Sequence, residues 1–238
     1  MHQNKKGFTL IEMLVVIAII SVLSMGISML NMKDSSHSAY SAQQSLITAF
    51  YEARVAAMQK QTDVRVIIYR GEDQTRRLRQ VGVVYRAKGR NDMDLGWIAL
   101  NDGFIMPQNV FFVPPENDFD KYVKVGKDIE KSEIYKSTFN NGYTGAFEVV
   151  DISTFPSRQP EALTDGSGDW YSYMFTSDGL SQNPGAFVML AMGRADSKGI
   201  YVIDNPFSQV GFVIRRIGHT IPFSGYDEME ETIKHIFL

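Results

Sequence analysis

Residues Lys5 to Leu30 read KKGFTLIEMLVVIAIISVLSMGISML, and from Phe8 onward 17 of 23 are apolar. A helix rising about 1.5 Å per residue covers roughly 34 Å over that length, against about 30 Å of bilayer hydrocarbon. The segment before it, Met1 to Gly7 (MHQNKKG), is short and carries Lys5 and Lys6. Positive charge there holds an N-terminus in the cytoplasm and sends the downstream chain outward. Three readings compete for the apolar run. A cleaved secretory signal has a shorter apolar region and a small-residue cleavage site, which this stretch fits poorly. An uncleaved signal anchor fits the length and the flanks but leaves Glu12 unexplained, since a carboxylate at membrane depth costs about 3 kcal/mol and marks function by default. A buried helix of a soluble core is the weakest reading, because the run is too long and too uniform.

Lys5-Lys6-Gly7-Phe8-Thr9-Leu10-Ile11-Glu12 separates these readings. The pattern has a basic pair, a glycine, a phenylalanine opening the apolar run, and a glutamate fifth when Phe8 is counted first. It resembles the N-terminal signature of type IV pilins and of the pseudopilins of type II secretion systems, over about residues 5 to 30. The resemblance implies that a prepilin peptidase cuts between Gly7 and Phe8, that Phe8 is then N-methylated, and that a chain of 238 − 7 = 231 residues remains. Each position also has its own physical logic. Gly7 lets the backbone enter a narrow protease cleft in extended form. Lys5 and Lys6 favour the anionic cytoplasmic face. Cleavage leaves an ammonium on Phe8 near the apolar phase, and Glu12 is its natural counter-ion on a neighbouring subunit, since two buried charges are tolerable only as a pair. The alternative for Glu12 is a carboxylate reaching up to the interface.

Beyond Leu30 a polar stretch, residues 31–41 (NMKDSSHSAYS), leads into a second helical pattern. Ala39, Ala42, Leu46, Phe50, Ala53 and Ala57 recur at steps of 3 or 4, one apolar stripe on a helix running to about Lys60. Gly26 and the serine cluster are its weak points. From Asp63 the period drops to 2: Val64, Val66 and Ile68 alternate with Arg65, Ile67 and Tyr69, which predicts a strand. Residues 71–79 (GEDQTRRLR) read as a charged turn and residues 80–87 as the return strand. Further strands are expected at 97–100, 109–113, 145–150, 171–176, 186–192, 199–203 and 211–216, with loops at 88–94, 114–136 and 157–169, the second of them with room for a helical turn.

The periods predict an α+β protein, and the resemblance implies the arrangement of the pilin fold: a long N-terminal helix, half transmembrane, packed on a mostly antiparallel β-sheet head. Residues 1–7 are the expected cytoplasmic leader, 8–30 the membrane segment, 31–60 the continuation of the helix, and 61–238 a β-rich periplasmic head. The head carries a second resemblance. Residues 46–69 (LITAFYEARVAAMQKQTDVRVIIY), 174–179 (MFTSDG) and 212–222 (FVIRRIGHTIP) are similar to the H-type minor pseudopilins and the FimT-like minor pilins. His219 stands where an arginine is common in those families, and the long 114–136 insertion is atypical.

Over the whole chain 24 basic residues face 27 acidic ones, net −3, and there is no cysteine. The missing cysteines exclude a disulfide scaffold, thiolate zinc sites and a cysteine nucleophile. No pair among His2, His37, His219 and His235 has metal-ligand spacing, and neither a G-x-S-x-G elbow nor a P-loop occurs. The sequence therefore points away from an enzyme and calls for no cofactor and no metal. Residues 165–169 (DGSGD) beside Glu161 could gather oxygen ligands for calcium, as could Glu116, Asn117, Asp118 and Asp120, although neither has EF-hand spacing and a solvated turn is the favoured reading. Arg76, Arg77 and Arg79 form a candidate nucleic-acid contact, and Arg215 and Arg216 a second basic pair. Past Leu30 the balance is 22 basic to 26 acidic, because Lys5, Lys6 and Glu12 lie earlier, so ordinary surface pairing is favoured over nucleic acid.

The expected function is thus a structural one. The chain reads as a minor pseudopilin of a type II secretion-like filament, held in the inner membrane by a single span, processed by prepilin peptidase and joined to other subunits through its helix at the filament tip. A minor pilin serving pilus assembly or DNA uptake is the alternative. A membrane-anchored enzyme or binding module that has borrowed the N-terminus would need a polar catalytic pocket in the head, and the sequence offers no residues for one.

Overall fold

The first proline of the chain is Pro107, so nothing in the opening hundred residues removes a helical hydrogen bond. A single helix, α1 (Leu10–Lys60), uses that freedom and runs through Gly26 and the serine cluster without a break. The computed structural model describes residues 10–126, 147–183, 186–203, 209–225, 228 and 231–232. It divides into two units, Met1–His37 and Ser38–Leu238. In the first unit, Met13, Val16, Ile17 and Ile20 of α1 are all exposed, at 46–64%. Their spacing places them along one helical face.

The second unit holds the remainder of α1 and the strands. In chain order these are β1 (Val64–Tyr69), β2 (Gln80–Lys88), β3 (Asp94–Ala99), β4 (Phe104–Ile105), β5 (Val110–Phe112), the short helix α2 (Glu116–Tyr122), β6 (Val123–Val125), β7 (Glu148–Asp151), β8 (Thr164–Asp165), β9 (Trp170–Phe175), β10 (Phe187–Met192), β11 (Arg194–Ala195), β12 (Tyr201–Ile203), β13 (Val210–Ile214) and β14 (Thr220–Ser224). The single expected sheet is resolved into three. One has the order β3-β2-β1-β9-β7-β8 with β4 also on β2, a second runs β14-β13-β10-β5, and a third runs β11-β12-β6. Pairing is antiparallel except between β12 and β6. Pro107, Pro114 and Pro115, which have no N–H to give a ladder, flank β5 where the chain leaves the first sheet for the second. The expected loop at 114–136 contains α2 and β6, and its remainder from 127 lies outside the described residues.

The core lies where the helix stripe meets both larger sheets. Ala39, Ala42, Leu46, Phe50, Ala53 and Ala57 are buried to 2% exposure or less, as their spacing predicts. The alanines at both ends of the stripe bring the helix close to the sheets, and Phe50 fills the space between Tyr173, Phe175 and Phe212 at ring separations of 5.2–6.1 Å. Gln43 is the polar exception on this face. Its Nε2 donates to the carbonyl oxygens of Gly211 at 2.5 Å and Phe223 at 2.9 Å, tying α1 to β13 and β14. On β1, Val64, Val66 and Ile68 join this core, whereas Ile67 points to the other face with Val84, Trp97, Val150, Ile152, Phe155 and Trp170. Both faces of the first sheet are therefore covered.

Candidate functional site

The candidate site suggested by the sequence is at the N-terminus. Lys5, Lys6, Gly7 and Phe8 lie outside the described residues, as do His2 and His235; Glu12 sits in the first turn of α1. Directly after it comes the exposed face of Met13, Val16, Ile17 and Ile20. Large aliphatic side chains repeated on one exposed face mark a contact with lipid or with another chain. Among the described residues no helix is long and apolar enough to cross a membrane.

In the head, the arginines of the 71–79 turn are built into the fold. Arg79 is only 9% exposed. Its Nε and Nη2 donate to the Met106 carbonyl at 3.1 and 2.5 Å, and its Nη1 donates to the Thr75 carbonyl at 2.9 Å. Arg77 donates to the carbonyls of Gly71 at 2.7 Å and Glu72 at 2.8 Å, and Arg76 binds Gln80 Oε1 while stacking on Tyr69. Arg77 and Arg79 thus bind main-chain oxygens, of Gly71, Glu72 and Thr75 within the turn and of Met106 beyond it, whereas Arg76 binds a side-chain amide. The arrangement gives a nucleic-acid contact no free arginine fork at Arg79. Arg215 and Arg216 differ, since both are exposed and neither has a carboxylate within ion-pair distance among the described residues.

Three of the acidic candidates, Asp165, Glu161 and Asp118, are engaged within the fold. Asp165 pairs with buried Arg65 at 3.1 Å, and Glu148 pairs with the same guanidinium at 3.3 Å. Glu161 accepts from Ser153 Oγ at 3.2 Å and from the Thr154 N–H at 3.0 Å. Residues 165–169 form the exposed connection from β8 to β9, held by the Gly166 N–H on the Val149 carbonyl. Asp118, on α2, accepts the Tyr171 hydroxyl at 2.7 Å and pairs with Arg70 at 3.2 Å. Burial pushes the Tyr171 phenol well above its ordinary value, and the bond to Asp118 adds to that; Arg70 is lowered by burial but raised overall by Tyr171, Tyr122 and Asp118. This cluster fastens α2 to β1 and β9. Among the described residues no group of three or more histidine, aspartate or glutamate side chains is placed to hold a metal.

Residues 2–28 match the family model of the prokaryotic N-terminal methylation motif. The chain carries a prepilin-type methylation motif. That motif is typical of membrane-anchored, type IV pilin-like proteins that are processed at this end and assemble with like subunits, and it frames Lys5, Lys6, Gly7, Phe8 and Glu12 together. No curated protein and no solved structure matches the chain.

What sequence reasoning missed is a junction in the head. The turns at 176–180 and 215–219 meet the end of α1, where Arg54 Nε donates to the Gly179 carbonyl at 3.3 Å. Gly179 and Gly218, both at positive φ, are the visible signals, but the Arg54 partner of Gly179, 125 residues earlier in the chain, is not visible from local pattern.

Proposed function

We propose that this protein is a structural minor pseudopilin of a type II secretion-like filament. The observation that carries this reading is the methylation motif at residues 2–28, joined to an α1 whose later part is committed to a β-rich head. On this reading Phe8–Leu30 is the single membrane span, the head is periplasmic, and prepilin peptidase cuts after Gly7 with methylation of Phe8. Glu12 then pairs with the Phe8 ammonium of a neighbouring subunit, so a chain inserted out of register leaves two buried charges unpaired. The similarity of residues 46–69, 174–179 and 212–222 to the H-type minor pseudopilins supports a place at or near the filament tip. The engagement of Arg65, Arg70, Arg79, Asp118, Glu148 and Asp165 within the fold supports a structural rather than a catalytic role.

Two variants test this in cells with an active prepilin peptidase. Gly7→Val puts a branched side chain at the scissile bond and is expected to leave the leader attached. Glu12→Val is expected to be inserted and cleaved like the parent chain yet absent from the sheared filament fraction. Filaments containing Glu12→Val at the parent level would contradict the ion-pair account.

A further inference from the structure

The junction of α1 with the two turns carries a surface that the fold itself does not use. A Cβ on Gly179 would lie 2.6 Å from Met58 Cγ, and one on Gly218 would lie 2.6 Å from Arg54 Cδ and 3.0 Å from the Gly179 carbonyl oxygen. The Ser181 N–H donates to the Arg216 carbonyl at 3.0 Å, so the two turns are also joined by main chain. Each glycine is followed or preceded by an exposed aliphatic: Leu180 is 39% and Ile217 53% exposed, beside Met58 at 40%. Tyr51, seven residues before Met58 and so on the same helical face, is 61% exposed. Around them stand Arg54, Arg215, Arg216 and His219, against the one carboxylate of the two turns, Asp178.

This is a cationic island with an aliphatic centre on a region whose overall balance is acidic. Its residue types are those enriched at protein interfaces, arginine, tyrosine and methionine, and it has no lysine, a residue depleted there. A nucleic acid would engage the arginines but bury nothing against Met58, Leu180 and Ile217. We infer that this surface is a docking site for an acidic segment of a neighbouring filament subunit that also carries aliphatic side chains. The identity of the partner rests on the filament-subunit reading above; the chemistry of the site does not. The partner's aliphatic side chains cover Met58, Leu180 and Ile217, and its carboxylates meet Arg215 and Arg216 at the rim.

The test uses the full chain in its producing cells, with Ile217 replaced by the photo-crosslinker p-benzoylphenylalanine and, as a control, Met93, which is 61% exposed elsewhere. After irradiation the crosslinked peptide is sequenced by mass spectrometry. The expected result is a crosslink from position 217 alone to one acidic, aliphatic-containing segment of another chain that bears a prepilin-type motif. The yield should fall about tenfold in Arg215→Glu/Arg216→Glu and return when the partner's acids are changed to lysine, since like charges juxtaposed across an interface are costly. Both arginines are exposed, and the thermal unfolding of the double variant checks that it folds as the parent does. Crosslinks to nucleic acid, to lipid, to a segment without carboxylates or to nothing would overturn the proposal, as would a yield indifferent to charge reversal. A processed chain that fails to crosslink overturns the docking site alone, whereas an unprocessed chain overturns the filament reading.

Discussion

At the residue scale, single side chains serve here as fasteners between distant parts of the chain. Tyr171 is one of them, reaching Asp118 across 53 positions of sequence at 2.7 Å. Its phenol is raised above the ordinary 10.0, first by burial and then by that bond. A group raised on folding contributes its full stability below its unfolded value and loses it as pH climbs, so the loss begins near pH 10. One such phenol contributes a slope of up to about 1.4 kcal/mol per pH unit. Tyr171→Phe should therefore cost about 1 kcal/mol near neutrality, for the lost hydrogen bond, yet show a shallower alkaline decline than the parent. Urea unfolding of the detergent-solubilised chain between pH 8 and 11 measures both; an unchanged alkaline slope would contradict the assignment. Arg79 shows what is illegible at this scale. An arginine in a charged turn reads as solvated, and its burial follows only from the carbonyls of Met106 and Pro107, more than 25 residues further on.

At the scale of elements, α1 and the paired strands β1 and β2 were readable because each repeats one period over enough residues to show it. The six stripe positions from Ala39 to Ala57 are all buried, and β1 alternates between the two cores as its pattern predicts. Elements that escaped the pattern are short or polar. β4, β8 and β11 have two residues each; α2 (ENDFDKY), legible only as room for a helical turn in the 114–136 loop, buries just Phe119 and Tyr122. β14 contains Pro222, which argues against a strand unless the strand lies at an edge, and β14 does lie at the edge of its sheet. The stripe's importance has a direct measure. Phe50→Ala removes the ring packed among Tyr173, Phe175 and Phe212 and should cost about 3–5 kcal/mol, seen as a lower midpoint in thermal unfolding. Tyr51→Ala, on the exposed face of the same turn, should leave that midpoint nearly unchanged.

For the whole molecule, the division of labour is the informative feature. Net charge −3 averages a basic N-terminal segment, one carboxylate in an apolar run and a mildly acidic remainder. The motif lies at the start of the chain, whereas the second unit is held by two cores and by ion pairs that leave its arginines and acids largely engaged. The motif was legible because its meaning resides in the order of a few residues. The docking surface was not, because it is assembled from three segments, the first more than 120 positions from the others. The central claim is that the chain is a processed filament subunit. Mass spectrometry of the chain extracted from membranes of cells with an active prepilin peptidase tests it most directly. The account predicts a species beginning at N-methylated Phe8, while a chain still beginning at Met1 would contradict it.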